Sequence, residues 1–212
     1  MSSRFWEIIV MSMICVFSTI SDESIGLVRQ HPLLLMQWFC SKEEFQEFVA
    51  HEQSEKIGFF ARLFGKKPRQ SEPLPDYSPS GNENIQYDID KAWHGIHFLL
   101  TGSASEGDAP LNFMVKGGHE ADGCDIGYGP GRMFTSEQVK QIDEALQGIS
   151  KEEFESRYDP AKMMAEEIYP AIWDRPKEED DAIVYISENF VGLKDYIHRA
   201  CELNMGMIVG LS

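Results

Sequence analysis

Three groups of residues in this chain carry side chains that could do chemistry. The first lies on Asp88-Ile-Asp-Lys-Ala-Trp-His-Gly-Ile-His-Phe-Leu-Leu-Thr101. If this stretch is helical, Asp90, His94, His97 and Thr101 fall within roughly 60° of one another, because the spacing i, i+4, i+7, i+11 returns to one stripe. Two neutral imidazoles and a carboxylate on one stripe can converge on a metal ion. The spacing is only H-x-x-H, however, without the glutamate of a zincin motif. Beside a tryptophan on a half-buried helix, such histidines more often donate to main-chain carbonyls or to a carboxylate, and that favoured reading predicts neither metal nor other cofactor.

The second group is His119-Glu-Ala-Asp-Gly-Cys-Asp125. Cys124 and His119 have the composition of a nucleophile and its base, but a reactive thiol needs surroundings that lower its pKa, and Glu120, Asp122 and Asp125 would raise it. The same carboxylates suit a hard cation, although not at EF-hand spacing. The third group is Gly127-Tyr-Gly-Pro-Gly-Arg132, which looks like a glycine-rich phosphate loop with a basic residue ahead of a helix N-terminus. It lacks the Lys-Ser/Thr pair, and Pro130 removes an amide donor, so a structural turn is the competing reading. Tyr128 and Arg132 join Asp90, His94 and His97 as candidate ligand-binding residues, and no residue is assigned as catalytic.

The elements that must position these residues are signalled by caps and breakers. Met13 to Ile20 is a near-continuous apolar run, suited to a strand covered on both faces. Ser21-Asp-Glu caps a helix with Ile25, Leu27 and Val28 on its apolar face, and Pro32 ends it and can open another over Leu33 to Phe39. Ser41-Lys-Glu-Glu44 is a capping box ahead of Phe45, Phe48 and Val49. Asp88 and Asp90 suit the start, and Gly102 the end, of the histidine-bearing helix, whose Trp93, Ile96 and Leu100 point to the core. Six glycines between Gly117 and Gly131 imply tight turns. Thr135-Ser-Glu-Gln138 is a capping box for a helix closing at Gly148, Ser150 and Asp159-Pro160 open short helices, and Pro170 stops the second. Ser187 is the expected cap of a last helix carrying Phe190, Leu193, Ile197, Ala200 and Cys201, and Met205 to Leu211 reads as a closing strand.

With 212 residues, the chain suits one domain. It has 35 Asp and Glu against 19 Lys and Arg, a net charge of −16. Such a surface repels phosphate backbones, which argues against nucleic acid and favours a basic protein partner, although solubility alone also accounts for it. Its 4 cysteines form no C-x-x-C pair, which fits a reducing cytoplasm and signals neither zinc site nor disulfide framework. Arg4 and the apolar residues after it resemble a signal peptide, but Glu7 interrupts them, no small-x-small cleavage site follows, and the run is too short to span a bilayer. Residues 1–10 are expected to be an unstructured extension. From about residue 65 to 84 the basic residues Lys66, Lys67 and Arg69 and four prolines (68, 73, 75 and 79) predict a mobile, exposed insertion that joins no core.

The stretch Asp88 to Gly102, the triplet Ile168-Tyr-Pro170 and the final helix followed by a strand resemble the YfbM-like family of bacterial proteins, domain of unknown function 1877. The likeness runs from about Met11 to the end, with 65–84 as an insertion. It implies a compact cytoplasmic α+β domain and carries no catalytic assignment.

The expected fold is therefore a single α+β domain over 11–212, with a small sheet containing the first and last strands and several helices packed on it. The expected function is non-catalytic binding, as in an immunity-type inhibitor of a basic toxin or other basic partner, with no membrane role. The alternative is a small-molecule-binding domain or enzyme, its pocket formed by the Asp90, His94 and His97 helix and the glycine-rich loop. If Trp93 fills the core as its stripe requires, Trp93→Ala should destabilise the protein by about 3 to 5 kcal/mol in chemical denaturation. A loss within experimental error would place Trp93 outside the core.

Overall fold

A computed structural model describes residues 12–51, 74–176, 178 and 181–212. Strand β1 (Cys15–Ile20) leads into helix α1 (Asp22–Gln30), a 3₁₀ segment (Pro32–Trp38) and helix α2 (residues 42–51). Strand β2 (Gln86–Asp88), a 3₁₀ turn (Asp90–Ala92) and helix α3 (Trp93–Thr101) follow. Strands β3 (His119–Asp125) and β4 (Pro130–Phe134) precede helices α4 (Ser136–Gln147), α5 (Lys151–Ser156), α6 (Pro160–Ala165) and α7 (Ala182–Glu202), and strand β5 (Gly206–Leu211) closes the chain. Among the described residues, no helix is long and apolar enough to cross a membrane.

The five strands form one sheet in the order β2-β1-β5-β4-β3, and each neighbouring pair is antiparallel. The first and last strands thus lie side by side at its centre, with Phe17 opposite Val209 and Ser18 opposite Ile208. Side chains alternate between faces. Phe17, Met207, Val209 and Phe134 face the larger core, with α3, α4 and α7, whereas Ile20, Ile208 and Met133 face a smaller one built from α1 and the 3₁₀ segment. This two-sided burial is why β1 and β5 are apolar almost throughout, and the α+β architecture is the one the sequence implies.

The caps act where the side chains place them. Ser21 Oγ accepts from the Ser24 N–H at 3.1 Å, and Thr135 and Gln138 form a reciprocal box at the head of α4. Ser41 and Glu44 do the same for α2, at 2.8 and 3.2 Å.

Four expectations about the regular elements need correction. Helix α3 begins at Trp93 rather than near Asp88, because Asp88 belongs to β2 and its Oδ1 accepts the Asp90 N–H, while Asp90 takes a left-handed φ of 48°. The last helix starts at Ala182, so Ser187 is buried within it instead of capping it. The helix opened by Asp159 ends at Ala165, well before Pro170. The glycine-rich region holds an antiparallel strand pair as well as turns. It escaped notice because β3 buries only Ala121 and Cys124 and its register shifts between Glu120 and Asp125, so no alternation is visible.

Residues 1–10, and 65–73 of the anticipated insertion, lie outside the described residues. Residues 74–84 are anchored rather than free of the core. The Tyr77 ring stacks on Trp38 at 5.8 Å, and its hydroxyl lies 2.6 Å from both Ser24 Oγ and Glu83 Oε2. Leu74 packs against the smaller core as well. The proline-rich composition masked two apolar anchors too few to form a periodic pattern.

Helix α3 meets α7 and Trp173 at Gly95. A Cβ there would lie 2.5 Å from Trp173 Cη2 and 2.6 Å from Ile186 Cδ1. Trp173 cannot easily retreat, since it is 2% exposed and its Nε1 donates to the Ile168 carbonyl at 2.6 Å. Helix propensity alone would make Gly95→Ala stabilising by about 1 kcal/mol. Overpacking costs about 1 to 3 kcal/mol, so a net loss in urea unfolding is expected, and a gain would show that the contact yields.

Candidate functional site

The polar stripe of α3 does not converge. Trp93 is buried, its Nε1 donates to the Met13 carbonyl at 3.1 Å, and its ring stacks on His94 at 4.8 Å. His94 Nε2 lies 2.9 Å from the Ala104 carbonyl, to which it donates, and Nδ1 accepts the Tyr169 N–H at 3.0 Å. Those partners select the neutral Nε2–H tautomer and leave neither nitrogen for a ligand. The imidazole therefore fastens α3 to the turn after it and to the Ile168-Tyr-Pro170 segment. Burial pushes its pKa down, opposed by the Ala104 contact.

His97 is 0% exposed. Its Nε2 lies 3.4 Å from Thr101 Oγ1, and its Nδ1 has no hydrogen-bond partner among the described residues. Burial, helped by repulsion from His94, pushes its pKa to about 4; the Glu106 main chain opposes the shift, and Arg132 and Lys116 add to it. Asp90 is turned to solvent by its left-handed backbone, and Oδ2 accepts from the Tyr185 hydroxyl at 2.9 Å. Among the described residues, no group of three or more His, Cys, Asp or Glu is arranged to hold a metal ion. On β3, Cys124 is buried in the smaller core while His119 is exposed at the far end of the strand.

The glycine-rich loop does build a concave site. Asp125 Oδ1 accepts the N–H groups of Gly127 and Gly129 at 2.8 and 3.1 Å, and the Tyr128 N–H donates to the Leu211 carbonyl at 2.9 Å. The loop rides so close to β5 that a Cβ on Gly127, at φ 144°, would lie 2.9 Å from that carbonyl. Arg132 points into the larger core, where its guanidinium donates to the carbonyls of Phe113 (2.8 Å) and Met114. Above it is a cavity of about 240 Å³, bordered by Trp93, Met114, Glu120, Tyr128, Arg132 and Leu211, among others.

The structure therefore unites Tyr128 and Arg132 with Trp93 from the histidine-bearing helix, but leaves Asp90, His94 and His97 out of the cavity wall. Glu120, Met114 and Leu211 were not anticipated as members of the site. They come from three separate segments, and the sole local hint was the position of Glu120 twelve residues before Arg132 in a turn-rich stretch.

A neutral buried histidine has a consequence for stability. His97 has a folded pKa near 4 against an ordinary 6.5, so between those values the unfolded chain binds the extra proton. Its contribution is complete above about pH 6.5 and is lost as the pH falls towards 4, and the lowered pKa of His94 acts with the same sign. The urea midpoint of His97→Leu should consequently fall less than that of the wild type between those pH values. Parallel profiles for the two proteins would show that His97 is not the titrating group.

Residues 11–210 match the family described as Domain of unknown function (DUF1877). Protein YfbM of Escherichia coli (strain K12) is 31% identical over 126 residues, which span 55% of this chain and 74% of that protein. In fold, the chain is similar to the crystal structure of YfbM from Escherichia coli, titled a protein of unknown function. The TM-score is 0.55 and the identity 17%, over 94% of this chain and 99% of that one. With a sheet closed by its first and last strands and a motif helix locked to the Ile168-Tyr-Pro170 segment, the chain belongs to the DUF1877, or YfbM-like, family.

Proposed function

We propose that the protein is a non-catalytic binding protein whose acidic surface engages a basic protein, in the manner of an immunity-type inhibitor and its toxin. The observation that carries this reading is the excess of uncompensated carboxylates. The chain has a net charge of −16. Among the described residues, ion pairs with Lys or Arg engage Glu106, Glu153, Glu155, Glu166 and Glu202. Asp122, Glu137, Glu144, Glu188 and Asp195 are exposed, with no basic partner within 4.0 Å among those residues. A field of one sign speeds encounter with a partner of the opposite sign and selects against others.

The commitment of the two histidines of α3 supports binding over general-base catalysis at that helix. A general base must offer a lone pair to substrate, whereas both His94 nitrogens are engaged by main-chain groups and His97 has no exposed surface.

A basic protein recovered on the immobilised full chain at low salt should associate at a rate that falls at least about tenfold between roughly 0.05 and 0.5 M salt, because rim charges act mainly through long-range steering. Glu188→Lys with Asp195→Lys should slow that association while leaving the melting temperature unchanged. A rate independent of salt would leave the acidity as a solubility feature and remove the basis for a basic partner.

A further inference from the structure

Arg132 is 8% exposed, and two of its N–H groups are committed to the carbonyls of Phe113 and Met114. Those carbonyls satisfy donors without cancelling the charge. Among the described residues, no carboxylate lies within 4.0 Å of the guanidinium. Glu120, its cross-strand neighbour, acts on it at longer range and is itself exposed. Burial depresses the pKa of Arg132, yet a guanidinium stays protonated in proteins. A buried cation without a counter-ion is costly, and a bound anion offsets that cost.

The space beside this cation is shaped for something small. At about 240 Å³ the cavity is below the size of drug-binding sites and corresponds to the liquid volume of about eight waters. Its walls include the buried Trp93 and Met114 and the part-buried Leu211, and the 39% exposed Tyr128 stands at its mouth with Glu120. A charged floor and apolar walls together specify a ligand with one anionic end and a short hydrocarbon body. A planar carboxylate matches the forked donors of arginine. Glu120 would repel a second negative charge.

We propose that this cavity binds a small monocarboxylate with an apolar body, its carboxylate on Arg132 and its hydrocarbon against Trp93 and Leu211. The proposal rests on the cavity alone and is independent of the acidic-surface reading.

The test is calorimetric titration of the full chain with phenylacetate and with phenylacetamide, which has a similar shape but no charge. Saturable binding of phenylacetate at one site per chain is expected, with phenylacetamide at least tenfold weaker. Glu120→Gln should tighten phenylacetate binding severalfold by removing a like charge. Arg132→Met should abolish it. Because Arg132 also holds two main-chain carbonyls, Val115→Trp is the companion variant: it fills the cavity from a part-exposed wall position and should abolish binding while leaving circular dichroism and melting temperature unchanged. Absence of saturable phenylacetate binding, equal affinity for phenylacetamide, or binding that survives Val115→Trp would each overturn the proposal.

Discussion

The antiparallel pairing of β1 with β5, six residues on each strand, is the constraint on which the other packing depends. It brings segments nearly two hundred residues apart to the centre of the sheet, so no local contact can substitute for it. With β2 added on one side and β4 and β3 on the other, both faces of the central pair become core, and each face needs its own helical cover. The closure also fixes the C-terminal end of β5, whose Leu211 carbonyl receives the Tyr128 N–H and so seats the glycine-rich loop. The Arg132 cavity exists because that loop, β5 and α3 meet at one corner.

Polar groups inside such a core must be satisfied, and the protein does this largely with main-chain partners. Trp93, His94, Trp173, Arg132 and Lys194 all bond to carbonyls. Bonds of this kind pin irregular segments whose own amides and carbonyls lie outside the sheet ladders. The segment from Gly102 to Val115 has little regular structure, yet the side chains of His94 and Arg132 hold it at Ala104, Phe113 and Met114. The same economy commits His94, because a ring nitrogen fixed by an amide or carbonyl is unavailable to a substrate.

Charge is distributed in opposite senses inside and outside. The surface is strongly acidic, whereas the larger core contains an arginine and two histidines that burial keeps from carrying charge easily. Repulsion from Arg132 helps to hold His97 neutral. The interior thus keeps one permanent cation near a cavity, and Glu120, at the mouth of that cavity, carries the acidity of the surface towards it.

The sequence by itself determined the features set by contacts within one or two turns of chain. Ser21, Ser41, Thr135, Ser150 and Asp159 cap helices as their side-chain chemistry requires, and the apolar runs of β1 and β5 announce strands buried on both faces. The burial of Trp93, Ile96 and Leu100 followed from helical periodicity. The candidate site was only half legible. Tyr128 and Arg132 could be picked out by their place in the glycine-rich loop, but the arrangement of Asp90, His94 and His97 on one stripe held only while the helix was assumed to begin before Asp90. Tertiary structure decided otherwise: pairing of β2 with β1 draws Asp88 into the sheet, Asp90 turns left-handed to join strand to helix, His94 finds main-chain partners at Ala104 and Tyr169, and His97 is buried beside Thr101. It alone brought Trp93, Glu120 and Leu211 around Arg132, since a register shift in β3 and the closure by β5 are properties of the assembled sheet and leave no periodic trace in any one segment.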